Sequence, residues 1–214
     1  MKTVAILGSG LVGQTLAGGF AKHGFRVVIG TGHPEKKIDW KDTALRNVKV
    51  TTYAGAAEAA EPVVVAVKGT VAEGVVHGVA SQIAGKIVMD ASNPIADAPP
   101  ENGVLRFFTT LDKSLMERLQ KLAPAAQFVK VFNSVGAAFM VNPDFGGIRP
   151  TMFICGDHAP SKKEVTAILE QLGWEAEDMG GAQGARAIEP LCMLWCIPGL
   201  LRNQWSHAFK LLKK

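Results

Sequence analysis

A doubly wound α/β fold, with a mainly parallel sheet and a small C-terminal α/β lobe, is what the sequence predicts. Three observations predict it: short β-branched runs, alanine-rich or amphipathic stretches between them, and a change of pattern past residue 150. Strands that are apolar on both faces and alternate with helices specify a parallel sheet covered on both sides.

The strand runs are "TVAIL", "RVVIG", "VKVTT", "PVVVAV", "KIVMDAS" and "QFVKVF". Helical stretches are expected between most of them, over 11–23, 53–60, 71–83 and 111–122. After "KVFNSVGAAFMVNPDFGGIRP" come a strand "TMFICG", a helix over about 161–172 and a strand "WEAEDMG". A long helical segment over 184–213, bent at Pro190 and Pro198, closes the chain. The expected division is a dinucleotide-binding domain over 1–150 and a small lobe over 151–214 packed on it. The irregular stretches 93–103 and 142–150 hold the Pro and Gly of functional loops.

The chain has 214 residues, 48% hydrophobic and 20% charged, which suits a soluble globular protein. Its net charge of +4 is spread over 23 basic and 19 acidic side chains. That mild excess favours small anionic ligands and speaks against nucleic acid, whose binders concentrate Lys and Arg on one face. Cys155, Cys192 and Cys196 lack metal or C-x-x-C spacing and sit in apolar runs, so reduced thiols and a cytoplasmic location are expected. The apolar run "PLCMLWCIPGLL" is read as too short to span a bilayer, so no membrane partner is expected. No metal-binding or serine-hydrolase motif occurs.

Gly8, Gly10 and Gly13 form G-x-G-x-x-G directly after the first strand and at the start of a helix. The first glycine permits the tight turn, the second admits a pyrophosphate to the backbone, and the third lets helix and strand pack closely. Placed there, the motif points to a Rossmann-type dinucleotide site comprising Gly8, Ser9, Gly10, Leu11, Val12 and Gly13. About 20 residues on, a carboxylate would bind the 2′-hydroxyl of NAD. The chain has Thr31, Gly32, His33 and Lys36 there instead, so NADP(H) is expected. A solvated surface loop is the plainer alternative for His33 and the lysines.

Two later strand ends reach the same edge of the sheet. In "DASNPI", Asn93 is kept extended by Pro94 and its amide can enter the cleft, while Asp90 is read as a backbone-bonding turn residue. In "KVFNSVGAAFM", Asn133 and Ser134 face a second ligand or else cap a following helix. Arg186 could hold an anion or lie on the surface.

Taken with "VAILGSGLVGQTLA" and "VVIGT…PEK", the segments "DASNPI", "VKVFNSVGAAFMVNPDFGGIRPTMFICGD" and "EPLCMLW…AFKLLKK" resemble the NADPH-dependent reductases of the deazaflavin coenzyme F420. The resemblance runs nearly end to end. It implies hydride transfer between NADP(H) and a deazaflavin stacked on the nicotinamide, often in a homodimer. It also implies that Thr31 and its neighbours form the 2′-phosphate loop and that Val67 and Lys68 lie beside the nicotinamide. Asn133, Ser134, Val135 and Arg186 would line the deazaflavin pocket, with Asn133 and Ser134 as orienting groups. Family members usually carry Arg where Gly32 or His33 stands and Pro where Lys68 stands. A flavin acceptor, ferric reduction through a flavin, or a non-catalytic NADP(H) sensor are the competing readings.

Overall fold

A computed structural model describes residues 2–40 and 42–214. Six parallel strands form the main sheet: β1 (Thr3–Leu7), β2 (Arg26–Thr31), β3 (Lys49–Thr52), β4 (Val63–Val65), β5 (Ile87–Asp90) and β6 (Gln127–Lys130), in the order β3-β2-β1-β4-β5-β6. Every pairing among them is parallel. The strand order reverses between β1 and β4, and a ligand crevice opens outside the carboxyl ends of strands at such a point.

Alternation along each strand feeds two cores. Val4 and Ile6 of β1 and Val64 of β4 pack on one face with Leu16 and Phe20 of α1 (Leu11–Lys22). Ala5, Leu7, Val63 and Val65 pack on the other with α2 (Tyr53–Ala59), α3 (Gly69–Gly78) and α4 (Leu115–Leu122). Burial on both faces explains why these strands read as unbroken apolar runs.

The change of pattern after residue 150 corresponds to a separate parallel pair, β7 (Thr151–Ile154) with β8 (Glu175–Asp178). It meets the main sheet through Lys130, whose backbone N–H donates to the Cys155 carbonyl at 2.9 Å. Between the pair runs α5 (Ala159–Gln171), whose leucine, isoleucine and valine side chains join the α1 face of the core.

Several boundaries differ from the sequence reading; α3 ends at Gly78 where a helix to residue 83 was expected. Helix α4 begins at Leu115, because Ser114 and Glu117 form a reciprocal capping box there. No helix follows Ser134; only a 3₁₀ turn, Ala137–Phe139, forms, with Gly136 at its N-cap, so Asn133 and Ser134 cap nothing. The long C-terminal helix α6 spans Ala185–Arg202 with both prolines inside it, and ends where Asn203 turns left-handed. Residues 204–214 run back irregularly instead of continuing it. They are held by Trp195 Nε1 donating to the His207 carbonyl at 2.9 Å and Thr151 N–H donating to the Phe209 carbonyl at 2.9 Å.

The expectation about membrane length also changes. The helical run Ala182–Arg202, 21 residues, is long and apolar enough to cross a bilayer by length and composition. Its inner stripe, Ala185, Ile188, Glu189, Cys192, Trp195 and Gly199, is buried against the body.

Candidate functional site

The glycine turn sits at the strand-order reversal, and its three glycines divide their labour as physical chemistry requires. A Cβ on Gly8 would lie 2.3 Å from the Ala66 carbonyl oxygen, and the residue has φ +128°. One on Gly13 would lie 2.0 Å from the Gly8 oxygen. Both positions are closed by backbone. A Cβ on Gly10 would meet nothing within 4 Å, so the space before the N-terminus of α1 is open to a ligand.

That space belongs to a cleft of about 430 Å³. One wall is Gly10, Leu11 and Val12; a second is Ala66, Val67, Lys68, Gly69 and Thr70 from the end of β4 and the start of α3; a third runs from Ala91 through Asn93 to Asp97. Gly69 lets the second and third walls touch, since a Cβ there would sit 2.0 Å from the Asn93 oxygen. Five of the expected residues, Gly10, Leu11, Val12, Val67 and Lys68, are thereby brought together with Asn93.

Asn93 Nδ2 donates to the Asn133 carbonyl at 2.9 Å, which fixes the amide so that Oδ1 is the acceptor. That oxygen is buried without a donor. Asn133 repeats the arrangement: its Nδ2 donates to the Ile188 carbonyl of α6 at 2.8 Å, and its Oδ1 is buried without a donor. An unsatisfied buried acceptor costs about 1–3 kcal/mol. The preceding residue, Phe132, has φ +59°, unusual for an aromatic residue, at the point where the chain turns to present Asn133. Asn133, Ser134 and Val135 are buried behind the cleft and do not form its walls.

At the end of β2, Thr31 is nearly buried and its Oγ1 accepts from Ser9 Oγ and the His33 N–H, both at 3.4 Å, the outer limit of a hydrogen bond. Gly32 and Lys36 are exposed. His33 is exposed as well and lies 3.3 Å from Glu35, so a carboxylate does stand in this loop, paired with the imidazole. A backbone hydrogen bond holds the Glu35 carboxyl below its usual range.

Arg186 lies outside the cleft. Its guanidinium grips Glu117 through Nε at 3.1 and 3.0 Å and through a terminal nitrogen at 2.5 Å. This bidentate pair, with help from Ser114, lowers the Glu117 carboxyl to about 2. The expected anion holder is therefore a clamp between α6 and α4.

The sequence reading missed a buried charged group at this edge. Lys130, fully buried at the end of β6, donates to Asp90 Oδ2 at 2.9 Å, to the Ser92 carbonyl at 2.6 Å and to Glu189 Oε1 at 3.2 Å. Burial alone would lower its pKa, but the two carboxylates outweigh that and hold it above the ordinary lysine value. Glu189 also accepts from the Leu115 and Met116 N–H groups at the start of α4, which accommodates the excess negative charge. Asp90 does make the expected turn, accepting from the Ser92 N–H at 2.9 Å. A single Lys within "QFVKVF" and a single Glu before an apolar helix were the available signals.

Cys155 and Cys192 are buried free thiols and Cys196 is half-buried. Burial pushes the Cys155 thiol up to about 12, so it is inert at neutral pH.

Comparison with known proteins agrees with this architecture. Residues 3–94 match the family described as NADP oxidoreductase, coenzyme F420-dependent. A crystal structure from Arthrobacter sp. FB24, assigned as an F420-dependent NADP reductase, superimposes with a TM-score of 0.89 at 29% identity, covering 100% of both chains. The F420-dependent NADP reductase of Methanothermobacter marburgensis is 28% identical, covering 95% of this chain and 96% of that protein. The metalloreductase STEAP3 of Rattus norvegicus is 32% identical over 92% of this chain, which spans only 38% of that protein's length. With the glycine turn and the cleft at the strand reversal, residues 3–94 match the NADP oxidoreductase, coenzyme F420-dependent family, and the whole chain is similar in sequence and fold to F420-dependent NADP reductases.

Proposed function

We propose that the protein is an oxidoreductase that transfers a hydride between NADP(H) and a deazaflavin coenzyme of the F420 type. The observation that supports this reading is the open space at Gly10, continuous with a cleft of about 430 Å³ at the strand-order reversal. Gly10, Leu11 and Val12 would hold the pyrophosphate, with Gly8, Ser9 and Gly13 shaping the turn. Thr31, Gly32, His33 and Lys36 would receive the 2′-phosphate. Val67, Lys68 and Asn93 would face the nicotinamide, whose carboxamide N–H₂ is the kind of donor that the Asn93 oxygen lacks.

Transfer between stacked rings asks for alignment more than for an acid or base. Asn133 would act as a positioning residue, because its carbonyl orients Asn93. Ser134 and Val135 would support it from behind. We place the dinucleotide-binding domain at 1–150 and the lobe at 151–214, which the separate β7–β8 sheet supports. The buried reduced thiols support a cytoplasmic location. A homodimer is proposed on the outward stripe of α6, where Leu194 and Leu201 are more than half exposed. Light scattering of wild type and Leu194→Lys tests it: a dimer that the lysine splits supports it, and a monomeric wild type overturns it.

The similarity to a metalloreductase favours a second reading, NADPH-dependent reduction of a flavin or of ferric iron through one. NADPH oxidation followed in parallel with deazaflavin, FMN and FAD separates the two. Turnover fastest with the deazaflavin is expected; turnover with flavins alone would select the second reading.

A further inference from the structure

Cys192 and Cys196 stand four residues apart on α6, so their side chains share one face of the helix. Cys192 is buried, 6% exposed, and Cys196 beside it is half-buried and reachable from solvent. The two thiols interact with opposite effects. Hydrogen bonding to Cys192 holds the Cys196 thiol below its ordinary value, while the same contact, with burial, pushes Cys192 up. A lowered, accessible thiol is the one that peroxides attack, and a protonated thiol next to it is placed to resolve the product. Cys155, the third thiol, lies buried against Met116 and takes no part.

The hydrogen-bond ladder of α6 is interrupted on both sides of this turn. Pro190 and Pro198 have no N–H, so the carbonyls of Arg186 and Leu194 lack the donor four residues on. A regular helix holds Cβ atoms four residues apart at about 5–6 Å, against the roughly 3.5–4.5 Å of a disulfide. Joining the two sulfurs must therefore distort the turn.

That turn is tied to the cleft at two points. The Ile188 carbonyl, the helical acceptor of the Cys192 N–H, also accepts from Asn133 Nδ2 at 2.8 Å, and the Asn133 carbonyl in turn fixes Asn93. Trp195, between the cysteines, fits against Gly136, where a Cβ would lie 2.6 Å from its ring, and it holds the C-terminal tail through His207.

We propose that Cys192 and Cys196 form a peroxide-sensitive thiol pair whose oxidation to a disulfide distorts α6 and loosens the Asn133 support of the cleft. The Cys196 thiolate attacks hydrogen peroxide, the O–O bond breaks, and a sulfenic acid and one water result once the proton lost on ionisation is counted. The Cys192 sulfur then attacks the sulfenic sulfur; the S–S bond forms, the S–O bond breaks, and the hydroxide leaves with the Cys192 proton as a second water. Two thiols are oxidised by two electrons and one peroxide is reduced to two waters. Only the effect on NADPH rests on the oxidoreductase reading.

The full chain is treated with a small excess of hydrogen peroxide and read by intact mass, by alkylation of the remaining thiols after denaturation, and by hydrogen exchange. Wild type is expected to lose the mass of two hydrogens, to keep only Cys155 alkylatable, and to recover with dithiothreitol. Cys192→Ser should stop at a Cys196 sulfenic acid trapped by dimedone, as should Cys192→Ala, which buries no new hydroxyl, and Cys196→Ser should keep both its thiols. Amides within 191–197 should exchange faster in the oxidised chain, and the NADPH dissociation constant should rise at least about five-fold, the lower end of ordinary coupling between sites. An unreactive wild type, oxygen addition without a disulfide, or oxidation of Cys196→Ser as fast as wild type would overturn the proposal. So would a disulfide that leaves exchange unchanged, or that leaves the affinity of a chain that binds NADPH unchanged. If the reduced chain binds no NADPH, the oxidoreductase reading falls, and mass and exchange still decide the thiol pair.

Discussion

The knot formed by Asp90, Lys130 and Glu189 and the cleft beside it share the segment Ser92–Asn93, yet their polar groups stand in opposite condition. In the knot the ammonium donates three bonds and each carboxylate takes additional N–H or O–H donors. Among the described residues, Lys68 in the cleft has no anion and Asn93 Oδ1 has no donor, and at the end of β2 Thr31 Oγ1 has only two contacts, at 3.4 Å. Satisfied polar groups hold a fold together, and unsatisfied ones wait for a ligand. The difference tells the scaffold from the site more surely than residue type does, since both regions contain a lysine and a carboxylate.

The comparison breaks most visibly at Lys130. Lys130→Met would leave two buried carboxylates facing each other, and removing one partner of such a group costs about 3–5 kcal/mol. We expect a fall of roughly 10 °C or more in Tm, or failure to fold. A variant as stable as wild type would mean that the knot contributes nothing net. Because the Lys130 pKa is raised, its contribution is complete below the ordinary value of 10.5 and is lost only as pH climbs through the folded value. Stability near neutral pH should therefore not depend on this lysine's titration.

A second test sets two glycines of one turn against each other. Gly10→Val should abolish cofactor binding while Tm changes by no more than about 3 °C, because its side chain enters open space and the backbone there is extended. Gly13→Val should unfold the nucleotide half, because its Cβ would lie 2.0 Å from the Gly8 oxygen. Calorimetry with and without NADPH reads both. If Gly10→Val still gains stability on adding NADPH, the open space is not the pyrophosphate seat.

Much of this was legible in the sequence, for physical reasons. Burial on both faces makes each parallel strand an unbroken apolar run, so all six were found within a residue or two. The glycine turn is local, and its spacing alone fixes where α1 begins. What stayed hidden was non-local: Asp90, Lys130 and Glu189 come from three separate segments, and none of the runs around them announces a partner. Arg186 was assigned to a ligand because Glu117, 69 residues away, was not recognised as its mate. After Ser134 only the 3₁₀ turn Ala137–Phe139 forms, with Gly136 at its N-cap, and the left-handed Phe132 before it is a conformation that residue type does not signal. Residues 203–214 kept a helical pattern, yet tertiary contacts through His207 and Phe209 win over it.

A smaller effect is expected at Thr31, whose poorly used hydroxyl marks the cofactor side of the comparison. Thr31→Glu should weaken NADPH by about 1.5–3 kcal/mol through a lost charge-assisted bond and added repulsion, with NADH changed far less. Titrations with the two cofactors at physiological salt check this. Equal weakening of both would place the 2′-phosphate elsewhere.

The smallest effect sharpens the comparison from the scaffold side. Glu117 and Arg186 form a satisfied pair, so by the rule drawn above they belong to the fold and not to the cleft. Their pairing is partly exposed, with the Arg186 side chain 41% accessible, so solvent screens it and Glu117→Gln should cost only about 1 kcal/mol. The sign of its pH dependence follows from the lowered pKa. A carboxyl held at about 2 in the fold and near 4.5 when unfolded contributes fully above 4.5, and that contribution disappears as pH falls toward 2. Denaturant midpoints measured between pH 5 and 2.5 should therefore fall for wild type and fall less for Glu117→Gln, with the two curves converging at the acid end. Michaelis constants for NADPH and acceptor at pH 7 should stay within about two-fold of wild type, since neither side chain reaches the cleft. A marked rise in the acceptor constant would return Arg186 to the ligand site and show that a satisfied polar pair can still serve the chemistry.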